Sequence, residues 1–434
     1  MGVLTPMEFL SMKILKPIFL FFIYSFFSIS MFFWGPIKFS IKNVEELVYF
    51  LITCHFFLFF GYLFSSLKLR VVGVRKLSYN SKIINVILVT KLCIVFSCVI
   101  SFLILIKVTN GHVIDFVVTG LLDPKSSYML VREVEKESSL ITQIQTLFAP
   151  IVLSSFSLGC FYFNKLGTKF KFLFLVSIVF FVLAYVSKGT NFGVFVGIIT
   201  VVTTYLMKLK LLGSNKAVGI NRGLLLVGLI FLFFVFYFLY TITSRLGYDY
   251  IPSVFAGQPV DKNHVLFFVV PDLLSIPILI GLSYLIQGYY GLSLVFDYPF
   301  TFSYGLGIGR FVISKFQFLT DLDLWHTTYH SKMDNIWDSE LRWHTSYSWL
   351  ANAFSVYGVP IYLFLIGIIT NLIYKSYCYQ RSSIAVSLYP IYVIMFFFFP
   401  ANNVIYNNPI VFMPFIVLTF LFLTFTRVKY VSYD

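Results

Sequence analysis

The sequence predicts an all-α polytopic membrane protein of about 10–12 transmembrane helices with one large outer loop, and three observations carry that expectation. Charge is scarce: 12% of the 434 residues are charged, against roughly 25% in an ordinary soluble domain, while 59% are hydrophobic and 20% aromatic. The 32 Lys and Arg and 18 Asp and Glu are too few to cover a globular surface of this size, so much of the surface faces lipid. Charge-free stretches near the length needed to cross a bilayer recur along the chain. Finally, Lys and Arg collect in alternate connections, as they do when basic loops stay cytoplasmic.

Ten stretches have the length and composition of spans: 17–34, 47–66, 83–106, 145–163, 172–187, 191–207, 223–243, 347–372, 384–399 and 410–426. Charges or Pro, Gly and Asn turn residues bound each of them. Pro17 to Trp34 follows Lys13 and Lys16 and is longer than a signal-peptide core, so it reads as an uncleaved first span. The last two share the uncharged stretch 382–426, interrupted by Ala401-Asn402-Asn403 and Asn407-Asn408-Pro409, which predicts a short hairpin loop. With the N-terminus inside, the inner segments hold 18 Lys and Arg against two acids, and the outer segments 13 against 16. Lys91, within the third span, reads as a snorkelling stem. The formal net charge of +14 thus describes orientation in a multi-pass membrane protein, and no nucleic-acid partner is needed to explain it.

On this reading residues 1–243 form an N-terminal bundle of seven spans with an outer loop at 108–144. Residues 244–346 form a large outer loop, and 347–434 a C-terminal bundle of three spans. Leu273 to Phe296 is a further charge-free stretch. Because Arg245 lies outside and Lys375 inside, only an even number of crossings fits between them. The expectation is one extra pair of helices or a membrane-dipping element, with Pro271, Pro277, Gly281 and Gly288 favouring broken helices.

Several chemistries are excluded by pattern. The five Cys show no metal-ligand spacing, and no Walker A, GxSxG or HExxH occurs. His326 and His330 have i, i+4 spacing but lack the adjacent Glu of a zinc protease, and Asp321-Leu322-Asp323 is too short a pattern to assign a metal. No metal and no cofactor are expected. The outer cations Arg132, Lys188, Arg245, Arg310 and Arg342 stand out on an acidic face, and a guanidinium fork suits phosphate oxygens. Each serves loop solubility or headgroup contact equally well, and Lys262, Lys315 and Lys332 read as solvated. Gly305-Leu306-Gly307-Ile308-Gly309 offers flexible backbone beside Arg310, with amides suited to cradling phosphate. Trp325, Trp337, Trp343, Trp349, Tyr289 and Tyr290 fit either sugar stacking or an interfacial aromatic belt.

The run Tyr284-Leu285-Ile286-Gln287-Gly288-Tyr289-Tyr290-Gly291-Leu292, then Tyr304-Gly305-Leu306-Gly307, Trp343-His344-Thr345-Ser346 and Trp349-Leu350-Ala351-Asn352 to Tyr357-Gly358 resembles, in order, the large outer loop of O-antigen polymerases, the Wzy family. The turn Ser187-Lys188-Gly189-Thr190 is similar to one in the same family. The chain departs from the family at Asn191, where Arg is expected, and at Ala353, where Asp is common. The resemblance implies a GT-C-like glycosyltransferase of the bacterial inner (cytoplasmic) membrane, multi-pass, with its active site facing the periplasm. It would transfer a growing glycan from undecaprenyl pyrophosphate to a lipid-linked repeat unit, without metal and with inversion. Partners implied are undecaprenyl-pyrophosphate-linked oligosaccharides, membrane lipids and a chain-length regulator protein. The attacking sugar hydroxyl needs a base, for which His344 is the first choice, with Asp334, Asp338 and Glu340 behind it. Arg342, Arg310 and Arg245 would hold the pyrophosphate, and Arg132, Lys188, Gln287, Tyr289, Tyr290 and Asn352 the substrates. The alternatives are an O-antigen ligase and, from a different class, a lipid-linked oligosaccharide flippase.

Overall fold

The computed structural model describes residues 12–74, 79–134, 140–212, 217–246, 250–320 and 322–430. Each of the ten stretches expected to cross is helical: α1 (Met12–Trp34), α2 (Val44–Lys68), α3 (Tyr79–Val108), then, after α4 (Val113–Leu122) and α5 (Pro124–Val134), α6 (Leu140–Phe161), α7 (Thr168–Ser187), α8 (Phe192–Leu212) and α9 (Ala217–Leu246). The large loop holds α10 (Val265–Val269), α11 (Asp272–Leu294), α12 (Arg310–Thr320) and the single turn α13 (Tyr329–Lys332). The chain then forms α14 (Ser346–Lys375), α15 (Ser383–Phe398), a turn α16 (Val404–Asn407) and α17 (Pro409–Phe425). Among the described residues eight helices are long and apolar enough to cross a membrane, and α15 and α17 are shorter apolar helices. The protein is an all-α, multi-pass membrane protein.

The tightest seam joins α2 to α14. A Cβ on Gly61 would lie 2.0 Å from the Phe364 carbonyl oxygen, and one on Gly367 2.3 Å from that of Leu58. Only bare Cα positions let the two backbones approach this closely, the device that replaces hydrophobic driving force between helices in lipid. Further along the seam, Asn371 Nδ2 donates to Tyr62 O and Ser66 Oγ. The buried Lys375 ammonium donates to the carbonyls of Ser65, Ser66 and Leu69 at 2.9–3.0 Å. These carbonyls lie at the end of α2, where Ser65 O also accepts from Leu69 N and the dipole favours a cation. Immediately beyond, strand β1 (Leu69–Val74) pairs antiparallel with a strand at Thr426–Tyr430, tying the end of α17 to the end of α2.

The opposite end of the bundle, marked by the α1–α2 turn, carries the large loop. There β2 (Val254–Phe255) and β3 (Gln258–Pro259) form a small hairpin, and Ile37 bridges to Val260. His264 Nε2 contacts Trp34 O at 2.9 Å, at the end of α1. Asn43, just before α2, donates to Ser293 O and Asp297 Oδ1 at the far end of α11. Both ends of α11 are therefore tied to one side. From His264 to Asp272 the chain, five residues of it helical, reaches roughly 18 Å at most, short of the approximately 30 Å hydrocarbon core. The ties thus hold the two flanks of α11 toward the α1–α2 end of the bundle, although Leu274–Asp297 has the length and composition of a span. α11 differs from the expected broken helix: Pro277 falls in its second turn without interrupting it.

The seam gives a stability test. Gly61→Val or Gly367→Val forces a side chain into a carbonyl, so we expect loss of monodisperse protein on size-exclusion chromatography in detergent. Gly228→Val, with open space around its Cα, should leave the elution profile unchanged. Lys375→Met should cost about 1–3 kcal/mol by stranding buried carbonyls, read as a lowered thermal midpoint.

Candidate active site

The site is assembled from the segment between α11 and α14. The Thr328 hydroxyl caps α13 by accepting from Ser331 N, and the Thr345 hydroxyl caps α14 by accepting from Ser348 N. His344 precedes that cap and lies on the bare face of α11. A Cβ on Gly288 would sit 2.7 Å from Thr345 N, and one on Gly291 2.7 Å from His344 Nδ1 and 3.0 Å from Trp337 Cδ1. This explains Gly288 and Gly291 in the Gln287–Gly291 run: they form the seat of His344. The tyrosines between them hold that seat in place. Tyr289 is wholly buried with its hydroxyl 2.9 Å from Ser28 Oγ. Tyr290 lies against Phe39 and meets Trp337 edge-on. Gln287 is also buried.

His344 does not stand alone. The His330 ring centroid lies 4.1 Å from that of His344, nearly perpendicular to it, and His330 stacks on Trp349 at 3.9 Å. Asn352, from the second turn of α14, anchors this pair. Its Oδ1 accepts from Tyr329 N at 2.8 Å, which fixes the orientation of the amide, so the Nδ2 that meets His330 Nδ1 at 2.6 Å is the donor. His330 Nδ1 must then be an acceptor, and the ring carries its proton on Nε2. Ser303 Oγ donates to the Asn352 carbonyl, shortly before α14 breaks at Ser355, a non-glycine residue at φ 61°.

Among the described residues, His330 Nε2 and both nitrogens of His344 have no hydrogen-bond partner of normal geometry. Burial, first, and the Arg310 charge, second, hold the His344 pKa down to about 3, with a backbone group of Trp337 offsetting only part of the effect. His330 is held well below the usual histidine value by burial, then by His344 and Arg310. Both imidazoles are neutral near pH 7 and can accept or donate without a full charge in place.

Arg310 acts on both imidazoles and Arg342 stands two residues before His344 in the chain; each arginine lies over an indole. Arg310 Cζ lies 5.4 Å from the Trp325 ring centroid and Arg342 Cζ 5.5 Å from that of Trp337. Trp325 is in turn 6.5 Å from Trp349, and Trp343 meets Tyr284 edge-on at 4.3 Å. Arg310 is half-buried, paired with the exposed Glu340 and hydrogen-bonded to Ser339 Oγ. Its backbone N donates to Asn407 Oδ1, and Gly307 N donates to Ser303 Oγ. These two amides are therefore taken, contrary to the expectation of a free backbone cradle for phosphate. Gly307 and Gly309 serve packing instead, a Cβ on Gly309 running into the Tyr406 carbonyl, while Gly305 supplies the left-handed turn at φ 74°.

The remaining sequence candidates lie elsewhere. Lys188 caps α7 at a separate turn, 5.8 Å from the Tyr185 ring. The side chains of Arg132 and Arg245, and Asp321, lie outside the described residues. Asp323 pairs with His326 at 3.2 Å, and no group of three or more metal-ligating side chains occurs among the described residues. Asp334 and Asp338 accept bonds from the backbone of Ser339 and Glu340 and so hold the turn that positions Arg310's partner. Sequence reasoning missed His330 as the neighbour of His344, and Trp349 as the ring on which His330 stacks. The i, i+4 spacing drew attention to the His326–His330 pair, whereas the contact that forms spans fourteen positions and two segments.

With this geometry in hand, comparison with known protein families, curated proteins and solved structures returns no match for the chain. The histidine pair supplies a test independent of function. Below about pH 6.5 the unfolded chain protonates both imidazoles and the folded chain resists, so stability falls as pH drops, by about 1.4 kcal/mol per unit for each. Thermal midpoints between pH 4.5 and 8 should rise with pH and level off above about 6.5. His344→Asn should flatten the rise, and an unchanged slope would contradict a neutral buried His344.

Proposed function

We propose that the chain is a repeat-unit polymerase of surface polysaccharide, a metal-independent, inverting glycosyltransferase of GT-C-like architecture. It joins a growing glycan carried on undecaprenyl pyrophosphate to a lipid-linked repeat unit. The observation that carries this reading is a neutral, sequestered histidine within the field of Arg310, in a segment where two arginines each lie over an indole, at one end of a membrane bundle. The positive-inside distribution supports an inner-membrane location with this end in the periplasm. The resemblance of 280–360 to the outer loop of O-antigen polymerases points the same way.

In this mechanism the acceptor hydroxyl oxygen attacks the anomeric carbon of the donor sugar, the C–O bond to pyrophosphate breaks, and His344 takes the hydroxyl proton. One base suffices for inversion. Pyrophosphate leaves with its charge developing between Arg310 and Arg342, and fixed guanidinium groups in a partly dry site stabilise that charge better than water does. Trp325 and Trp337 hold the guanidinium planes and offer faces for sugar rings. The wall opens most readily at Arg310–Glu340, because a partly exposed ion pair is worth roughly 1 kcal/mol or less. A bound pyrophosphate would replace Glu340 as the partner of Arg310. It would also cancel part of the positive field on His344, making the imidazole a stronger base when substrate is present.

Arg310→Ala, Arg342→Ala and His344→Asn should each insert in the membrane yet abolish long polymer, leaving surface lipid with at most one repeat unit on a gel. Full-length polysaccharide in all three would remove the basis for the reading. If a strain lacking the chain displays no repeat unit at all, ligase or flippase is the better assignment.

A further inference from the structure

Under-satisfied nitrogens meet inside the protein: His330 Nε2, which carries a hydrogen and has no partner, and those of His344, which meet only a backbone group of Trp337. Leaving a buried donor unpaired is costly, so such a cluster is expected where a ligand supplies the missing bonds. The 4.1 Å separation of the ring centroids puts these nitrogens within roughly 6 Å of one another, close enough for one oxygen to bridge a donor and an acceptor at about 2.8 Å each. Neither histidine was singled out for the other by spacing. Asn352 is spent within the protein, on Tyr329 and His330, and is not free to touch a substrate.

We propose that His330 is the donor half of a two-histidine clamp for the acceptor sugar hydroxyl, with Asn352 as the positioning residue that sets its tautomer. The inference rests on the polymerase reading and deepens it. His330 Nε2–H donates to the hydroxyl oxygen while His344 accepts the hydroxyl proton. The new glycosidic bond forms at that oxygen, the bond to pyrophosphate breaks, and His330 keeps its own proton throughout. Trp349 backs the His330 ring and fixes its plane. The amide of Asn352 matters because, with its oxygen held by Tyr329 N, it presents only a donor to His330. A carboxylate in its place would move the proton to Nδ1 and turn Nε2 into a second acceptor, leaving the hydroxyl oxygen without a donor.

Nitrogen-15 NMR of histidine-labelled full-length protein in lipid nanodiscs reads the tautomer directly. Wild type should show His330 as a neutral Nε2–H ring at pH 7, and Asn352→Asp should convert it to Nδ1–H or to imidazolium. A wild-type Nδ1–H ring overturns the proposal. Polymer formation on a polyprenyl-pyrophosphate-linked oligosaccharide should fall about 10²–10³-fold in His330→Phe, which keeps the stack on Trp349 and loses the donor. His330→Gln, which restores an N–H, should recover part of the rate. Activity of His330→Phe within about threefold of wild type overturns the clamp. If wild type itself forms no polymer, the polymerase reading falls and the catalytic role of His330 with it, while the NMR result still decides whether Asn352 sets the ring.

Discussion

Backbone contact between α2 and α14 is the constraint on which the rest depends. Lipid offers helices no hydrophobic reason to associate, so bare Cα positions at Gly61 and Gly367, the Asn371 bonds and the Lys375 cap provide the attachment. What they attach is the helix that begins just after His344 and carries Trp349 and Asn352 in its first turns. Gly288 and Gly291 repeat the device on α11, where the missing side chains make room for His344 and Thr345. One physical rule, close approach through glycine, thus fixes the bundle and seats the histidine.

The ten expected stretches were legible as helices because hydrocarbon imposes a length and forbids charge, and both constraints are written locally in the chain; seven of them are among the eight described helices long and apolar enough to cross. The placement of α11 was not legible by the same rule. Leu273 to Phe296 satisfies the length and composition of a span, and its flanks are held by the ties of His264 to Trp34 and Asn43 to Ser293, contacts across more than two hundred positions. The Gln287–Gly291 run was visible as a resemblance, yet the sequence placed the interest in its side chains, whereas the glycines between them make the closest approach. Arg310, Arg342 and His344 were legible as residue types suited to phosphate and proton transfer. The His330–His344 contact was not, because nothing local marks two residues fourteen positions apart as neighbours. Asn352 was legible as a position, and its role depends on which face of its amide meets His330.

The site also shows how a membrane protein keeps polar groups poised. Each guanidinium rests on an indole, and the one acidic partner, Glu340, is exposed and exchangeable. The imidazoles are sealed among Trp337, Trp349 and α11, where burial keeps them neutral. Charge therefore sits at the rim and uncharged proton acceptors sit inside, the arrangement that pyrophosphate departure coupled to hydroxyl deprotonation calls for.

The most direct measurement is made with the purified chain in lipid nanodiscs and a single synthetic polyprenyl-pyrophosphate-linked oligosaccharide, following product length and released polyprenyl pyrophosphate together. The account predicts products longer than one repeat unit, with one polyprenyl pyrophosphate released per new linkage, in the presence of a divalent-metal chelator. Release without elongation, or no reaction at all with the chain intact and folded, would contradict it.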